Sequence, residues 1–392
     1  MKRTLFVIAV ILGFSIWSCE DESSRKTFFE DENLTIYEYL EVHSDDYSML
    51  IELIDKAGYQ GAFSAFGSYT FFAFKNEPFE AYLQEKGMSI NNMTQEEART
   101  LVRYHAFASE ITSSSLGTGK LPEPNLSGDQ IVSRFDESGL QGIIINRESR
   151  VTDRDIRVSN GVMHVLEKPL TPIVESVAER IANNPDYSIF AEALEKTGLH
   201  TLLNDVYDTT GVDEVKRNNF TLFAETDAIF QQKNINSYQE LVSHLSGGSE
   251  DPSSPESALY KFVANHIIAD KTLFLKDFDT GNYQAYNGEL LNFQVDQSFK
   301  INSHMEDGEQ QFITFLTDAV DYQAKNGVFH SIDDLMVVFR PDPVEVIWEF
   351  SDQPVVRDLE REDGQDSKHY TTLDPFPNMH GTIAEVWRHG GG

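Results

Sequence analysis

The sequence predicts an α+β chain made of two tandem copies of one helix-to-hairpin unit. Three observations predict it: four blocks recur in the same order, each copy opens on helical periodicity, and each closes on an Asn-Gly turn leading into an apolar strand. The first block starts at Asp46-Tyr47-Ser48 and runs to Gly58, and it returns from Asp186-Tyr187-Ser188 to Gly198. Leu50, Leu53 and Ile54 match Phe190, Ala193 and Leu194 at helical spacing, and the closing glycine suits a left-handed C-cap.

The second block is a strand running into a helix, Thr70-Phe71-Phe72-Ala73 in one copy and Thr221-Leu222-Phe223-Ala224 in the other. Asn76 and Asp227 follow at one register, where an amide or carboxylate oxygen caps the helix that begins there, with Phe79 and Phe230 turned inward. Ligand contact is the competing role for that pair. The third block sets Leu101-Val102-Arg103-Tyr104-His105 against Phe262-Val263-Ala264-Asn265-His266, with Glu96 to Arg103 reading as helix. The fourth sets Asp155 through His164 against Asp321 through His330 at constant offset. Within it Asn160-Gly161 and Asn326-Gly327 predict hairpins, because both residue types tolerate the positive φ of a type I′ turn. Val162, His164 and Leu166 then alternate with Met163 and Val165, a strand buried on both faces.

Together these blocks resemble the fasciclin-type domain, whose first signature reads like Thr-Val-Phe-Ala-Pro-Thr-Asn-x-Ala-Phe and whose last reads like Asn-Gly-Val-Ile-His-Val-Ile. The resemblance covers residues 34–172 and 173–339. The family's proline is replaced by Phe74 in one copy and Glu225 in the other, and the Tyr-His pair stands only as Tyr104-His105, Asn265 preceding His266. The resemblance implies a mostly antiparallel β-wedge flanked by helices in each domain. It implies roles in cell adhesion and in matrix or glycan contact, without catalysis. By resemblance, Tyr104, His105, Asp155 and Ile156, with Asp321 and Tyr322 in the second copy, are the candidate contact residues, while Asn76, Asn160, Gly161, His164, Asp227, His266, Asn326, Gly327 and His330 belong to the structural motif.

The N-terminus carries a different message. Lys2 and Arg3 precede an apolar run from Leu5 to Ile16, and Ser18 sits before Cys19, the single cysteine of the chain. Residues 1–18 read as a secretory signal too short to span a bilayer. Ile16-Trp17-Ser18-Cys19 resembles a lipobox, with Trp17 as its departure, so Cys19 is the expected lipid attachment site and 19–33 an acidic linker. Several acyl chains make such an anchor stable where one is marginal. Glu20-Asp21-Glu22 resembles the signal that sends Bacteroidetes lipoproteins to the outer face of the outer membrane, which sets the expected location. No intrachain disulfide is possible with one cysteine, so the fold rests on its core.

Charge bounds the partners. Lys plus Arg number 31 against 64 Asp plus Glu, a net of −33, which repels polyphosphate and excludes nucleic acid. It also keeps the protein body off an anionic membrane, leaving the lipid as the only membrane contact. The Pro169-Leu170-Thr171-Pro172 connection is short and stiff, predicting a rod-like tandem. Ser246 to Pro255 reads as a solvated loop, and residues 340–392 as an acidic extension with one alternating strand, Val344 to Phe350.

Catalytic patterns are missing: there is no Gly-x-Ser-x-Gly elbow, phosphate-binding loop, His-Glu-x-x-His pair or Cys-x-x-Cys. No cofactor and no metal are expected. Asp277-Phe278-Asp279-Thr280-Gly281 lacks the sixth-position glycine and closing glutamate of a calcium loop, and reads as an acidic turn. The paired histidines read as structural donors. Three functions compete: adhesion to matrix or surface protein, glycan or nutrient binding beside an outer-membrane uptake system, and a passive spacer. For the second, Tyr283 and Tyr286 around Asn287-Gly288 are the aromatic candidates, with hairpin packing as their plainer role. Ligand identity and oligomeric state are not encoded in any motif.

Overall fold

The structure is a computed structural model that describes residues 33–209, 215–246, 251–306 and 309–336, giving the backbone alone at 140–141 and 303–306. The signal segment, Cys19, the acidic linker as far as residue 32, and everything after 336, including the strand expected at Val344 to Phe350, lie outside the described residues.

The first copy runs α1 (Ile36–Val42), α2 (Ser44–Ala57), α3 (Gln60–Ser64), β1 (Tyr69–Phe74), α4 (Asn76–Glu85) and α5 (Gln95–Tyr104). Strands β2 (Ala106–Phe107), β3 (Gly119–Lys120), β4 (Val132–Asp136), β5 (Gly139–Ile145), β6 (Ser149–Val158) and β7 (Gly161–Leu166) follow. They form one sheet in the order β2-β1-β7-β6-β5-β4-β3. Only β1 and β7 run parallel, so a strand from the middle of the unit lies beside its last strand. Period-2 alternation along β1 divides the core. Phe71 packs with Leu50, Ile54 and Met163 under the helices, while Phe72 faces Tyr104, Phe107 and Ile143 on the other side.

The second copy repeats the plan with α6 (Val177–Ala182), α7 (Ser188–Thr197), α8 (Leu199–Asn204), a small hairpin β8 (Tyr207–Asp208) and β9 (Lys216–Arg217), β10 (Phe220–Glu225), α9 (Asp227–Gln232), α10 (Tyr238–Ser246) and α11 (Ala258–Asn265). Its strands are β11 (Ile267–Ala269), β12 (Gly281–Gln284), β13 (Leu290–Val295), β14 (Phe299–Glu306), β15 (Glu309–Thr314), β16 (Tyr322–Ala324) and β17 (Gly327–Ile332). Here the wedge splits into two sheets, β11-β10-β17-β16 and β12-β13-β14-β15. The parallel pair is kept: β10 lies on β17 from Phe220↔Gly327 as β1 lies on β7 from Tyr69↔Gly161.

The Asn-Gly hairpins form, but not by the expected chemistry. Ser159 and Asn160 make the turn between paired Val158 and Gly161, and neither has positive φ. Gly161 does stand at φ 150°, but in both hairpins glycine is also required for space. A Cβ on Gly161 would lie 2.0 Å from the Tyr69 carbonyl oxygen, and one on Gly327 2.2 Å from that of Phe220. The asparagine is an internal tie. Asn160 Oδ1 accepts from the Ile36 N–H at 2.9 Å, and its Nδ2 donates to the Phe63 and Ala65 carbonyls at 2.8 and 2.9 Å. Asn326 does the same with Val177, Leu203 and Asp205, at 2.9 Å each.

Asn76 and Asp227 are also placed differently from expectation. Both reach back to a helix of the preceding block: Asn76 Oδ1 accepts from Met49 N–H inside the first turns of α2, and Asp227 takes Ser188 and Ile189 N–H at the start of α7. The helix beginning at Asp227 is capped by its neighbour Thr226.

Replacing Asn160 with alanine strands one buried donor and two carbonyls, at about 1–3 kcal/mol each before relaxation. Asn160→Ala is expected to lower the urea midpoint of the first domain's transition by an amount worth at least about 2 kcal/mol. A change under about 0.5 kcal/mol would show the tie to be dispensable.

Candidate functional site

Asp155 and Asp321 hold equivalent places and do equivalent work. Both sit at positive φ, 57° and 56°, and each donates its backbone N–H to Nδ1 of the strand histidine, His164 at 3.3 Å and His330 at 3.1 Å. Since Nδ1 accepts, the ring proton is on Nε2, which donates to the Ile111 or Leu273 carbonyl at 2.8 Å. Burial lowers the pKa of both rings. The Asp155 carboxylate accepts from the Ser113 N–H at 2.7 Å and from its hydroxyl. Burial acts to raise that carboxyl, but the Ser113 bonds prevail and hold it below its ordinary value. Asp321 accepts likewise from Leu275 N–H at 2.7 Å. Both nitrogens of each strand histidine are therefore spent on backbone. Among the described residues no three His, Cys, Asp or Glu side chains gather to hold a metal, and Asp277 is paired with Lys120 at 2.7 Å.

Tyr104 and His105 require correction as contact residues. Both are wholly buried. The Tyr104 hydroxyl accepts from Asn146 Nδ2 at 3.0 Å. His105 Nδ1–H donates to the Leu101 carbonyl, and its Nε2 accepts from the Leu170 N–H, each at 2.8 Å. The second copy explains the replacement of the family's proline by Glu225. That fully buried carboxylate sits where His105 meets Leu170 in the first copy: its Oε1 lies 2.9 Å from His266 Nε2 and accepts the Met336 N–H, also at 2.9 Å. Phe74, at the same position in the first copy, instead packs edge-on against His105, ring centroids 5.0 Å apart.

Ile156 and Tyr322 are equivalent in sequence and each is half-buried against its own domain's core, but the strand edges that carry them differ. From Val151 to Val158, β6 pairs only with β7, because its contact with β5 ends at Ser149 and Arg150. Thr152, Asp153, Arg154 and Arg157 are exposed along this edge and Ile156 is half-buried. The matching edge in the second domain is covered by the first. Arg147 lies 4.6 Å above the Tyr322 ring and donates to the Asp318 and Val320 carbonyls.

That contact is part of a junction for which repeat matching gives no motif. Asp129, almost fully enclosed, receives Arg217 Nη1 at 2.8 Å and Lys325 Nζ at 2.9 Å on both oxygens. Gln323 Nε2 donates to the Gln130 carbonyl and to Asn146 Oδ1, at 2.9 and 2.8 Å. Val132 packs with Phe274 and Val328 as a small apolar centre. The signal was present where the best-matched block disagrees with itself: Tyr322, Gln323 and Lys325 replace Ile156, Arg157 and Ser159. Tyr283 takes the plainer of its two roles, packing on Phe278 and Phe293 at 5.5 and 5.0 Å, whereas Tyr286 stays 43% exposed.

Comparison with known proteins agrees with this plan. The family model for the fasciclin domain matches residues 45–172 and again 185–338. The chain belongs to the fasciclin-domain family. It is 23% identical over 309 residues to transforming growth factor-beta-induced protein ig-h3 of Sus scrofa, covering 76% of this chain and 39% of that protein. It is 21% identical to periostin of Homo sapiens over 80% of this chain and 34% of that one. A fasciclin-like arabinogalactan protein of Arthroderma benhamiae is 25% identical over 54% of this chain and 42% of its own length. The chain thus spans less than half of these relatives. The solved FAS1 domain pair from the insect cell adhesion molecule fasciclin I covers 74% of this chain and 95% of that one at 13% identity, with a TM-score of 0.35, too low to carry an argument.

Burial pushes His105 down from 6.5 to about 4. Below pH 6.5 the unfolded chain takes up a proton there that the folded domain refuses until about pH 4, so His105 costs the first domain stability as pH falls through that window. The full loss is about 3 kcal/mol. An NMR titration of the His105 ring is expected to give a midpoint near 4, and a midpoint at or above 6 would contradict the buried neutral tautomer.

Proposed function

We propose that this chain is a non-catalytic adhesion lipoprotein, anchored to the outer membrane through acylated Cys19, facing the exterior and binding a matrix or surface protein through its first domain. The observation that supports this reading is the open edge of β6. Its counterpart in the second domain is covered at the junction, whereas Thr152–Arg157 keeps its edge without a strand neighbour among the described residues. An unpaired edge accepts an extended segment through main-chain hydrogen bonds, and exposed Thr152 and Arg157 supply side-chain contacts. Tandem fasciclin domains in a family whose resemblance implies adhesion, and a strongly acidic body held off membranes, fit that role.

Glycan binding beside an uptake system is the second reading, favoured by the ring of Tyr286, which is 43% exposed.

The soluble chain beginning after Cys19, immobilised and screened against matrix proteins and glycans, is expected to bind a protein saturably. Arg157→Glu, at an exposed position of the same edge, should weaken that binding about tenfold, with the melting profile retained. Unchanged affinity would remove the β6 edge from the site. For the anchor, Cys19→Ser is expected to move the protein from the detergent-extracted membrane fraction to the soluble one. A variant that stays in the membrane fraction would refute acylation at Cys19.

A further inference from the structure

We propose that the cleft between the two domains binds an acidic sugar, one monosaccharide unit of a longer glycan whose carboxylate or sulfate lies against Lys120, Arg217 and Lys325. The cleft has a volume of about 250 Å³ and takes its walls from both domains. That is room for a single ring, with the rest of a chain running out through the mouth.

Charge points to an anion. The whole chain carries 31 basic against 64 acidic residues, yet the lining of this cleft holds three cations and a single carboxylate, Asp129. Lys325 and Arg217 both close on Asp129, so one negative charge is shared between two positive ones. Lys120 finds its partner outside the lining, in Asp277 at 2.7 Å, and its side chain stays 35% exposed. Even counting Asp277, the cations are in excess. A cleft with low-dielectric walls concentrates that excess, so an acidic ligand is attracted to it although the chain as a whole is acidic.

Polar groups point to a hydroxylated ligand rather than a bare ion. Asn219 lines the cleft beside the cations. Gln130 lines it too, and its side-chain oxygen is enclosed without a hydrogen-bond partner, an acceptor that a sugar hydroxyl would satisfy after a small rotation. This extends the glycan reading to a surface remote in sequence from Tyr286, and the adhesion reading does not depend on it.

The test is calorimetric titration of the full mature chain with a galacturonic acid trimer, the neutral galactose trimer, and sodium sulfate and phosphate. The acidic trimer is expected to bind at least about tenfold more tightly than the neutral one, and more weakly as salt is raised. Lys120→Gln, a residue outside the Asp129 clamp, should cost about fivefold or more with the melting temperature unchanged, and Lys120→Arg should restore most of it. Equal affinity for the two trimers, or acidic binding indifferent to Lys120→Gln, would overturn the site. Sulfate or phosphate binding as tightly as the acidic trimer would overturn the sugar. Matrix-protein capture that survives all of these outcomes would leave the β6 edge standing.

Discussion

The carboxamide of Asn160 bonds three backbone groups in two segments distant in the chain, Ile36 in one and Phe63 and Ala65 in the other, and Asn326 repeats this with Val177, Leu203 and Asp205. The rest of each domain depends on this tie. It joins the first helix, the end of the third and the closing hairpin at one buried point. The glycine that follows lets the last strand lie against the first without a clash. A shorter or longer side chain cannot reach all three groups, and an apolar one leaves them unpaired in the core, where each costs free energy.

Two copies of one unit have come to serve different ends. In the first, the β6 edge is open and a histidine accepts the chain's exit directly. In the second, the same edge is covered by Arg147, and a glutamate stands between the histidine and Met336. Beside the Pro169–Pro172 connection the two domains share a second tie, Asp129 held between Arg217 and Lys325. Removing either cation leaves Asp129 paired with the other, whereas removing the carboxylate leaves two partly enclosed cations facing each other, a larger penalty than any exposed ion pair carries.

Much of the fold was legible because its signals are local. Helical spacing, a strand of alternating apolar residues and an Asn-Gly turn each follow from a few adjacent side chains, and their recurrence removes the ambiguity of any one. What each residue does was less legible. Asn76 and Asp227 have the chemistry of caps, but the helix amides they accept from lie in the preceding block. Asn160 looked like a turn former because of its glycine neighbour, though the glycine answers to a carbonyl across the sheet. Tyr104 and His105 drew attention as a matched pair, and burial removes them from any surface. The junction escaped because its residues, Asp129, Arg147 and Arg217, lie where the copies do not match.

The parallel pairing of β1 with β7 also sets an order of events. Tyr69 must wait for Gly161, and Ile36 for Asn160, so neither half of a domain closes until more than half of its length has emerged. Contacts this distant in sequence fold slowly and leave apolar helix faces bare in the meantime. Each domain's core is thus completed by its closing strand, so a chain cut short of Gly161 or Gly327 would hold its helices without the strand that seals the sheet beneath them.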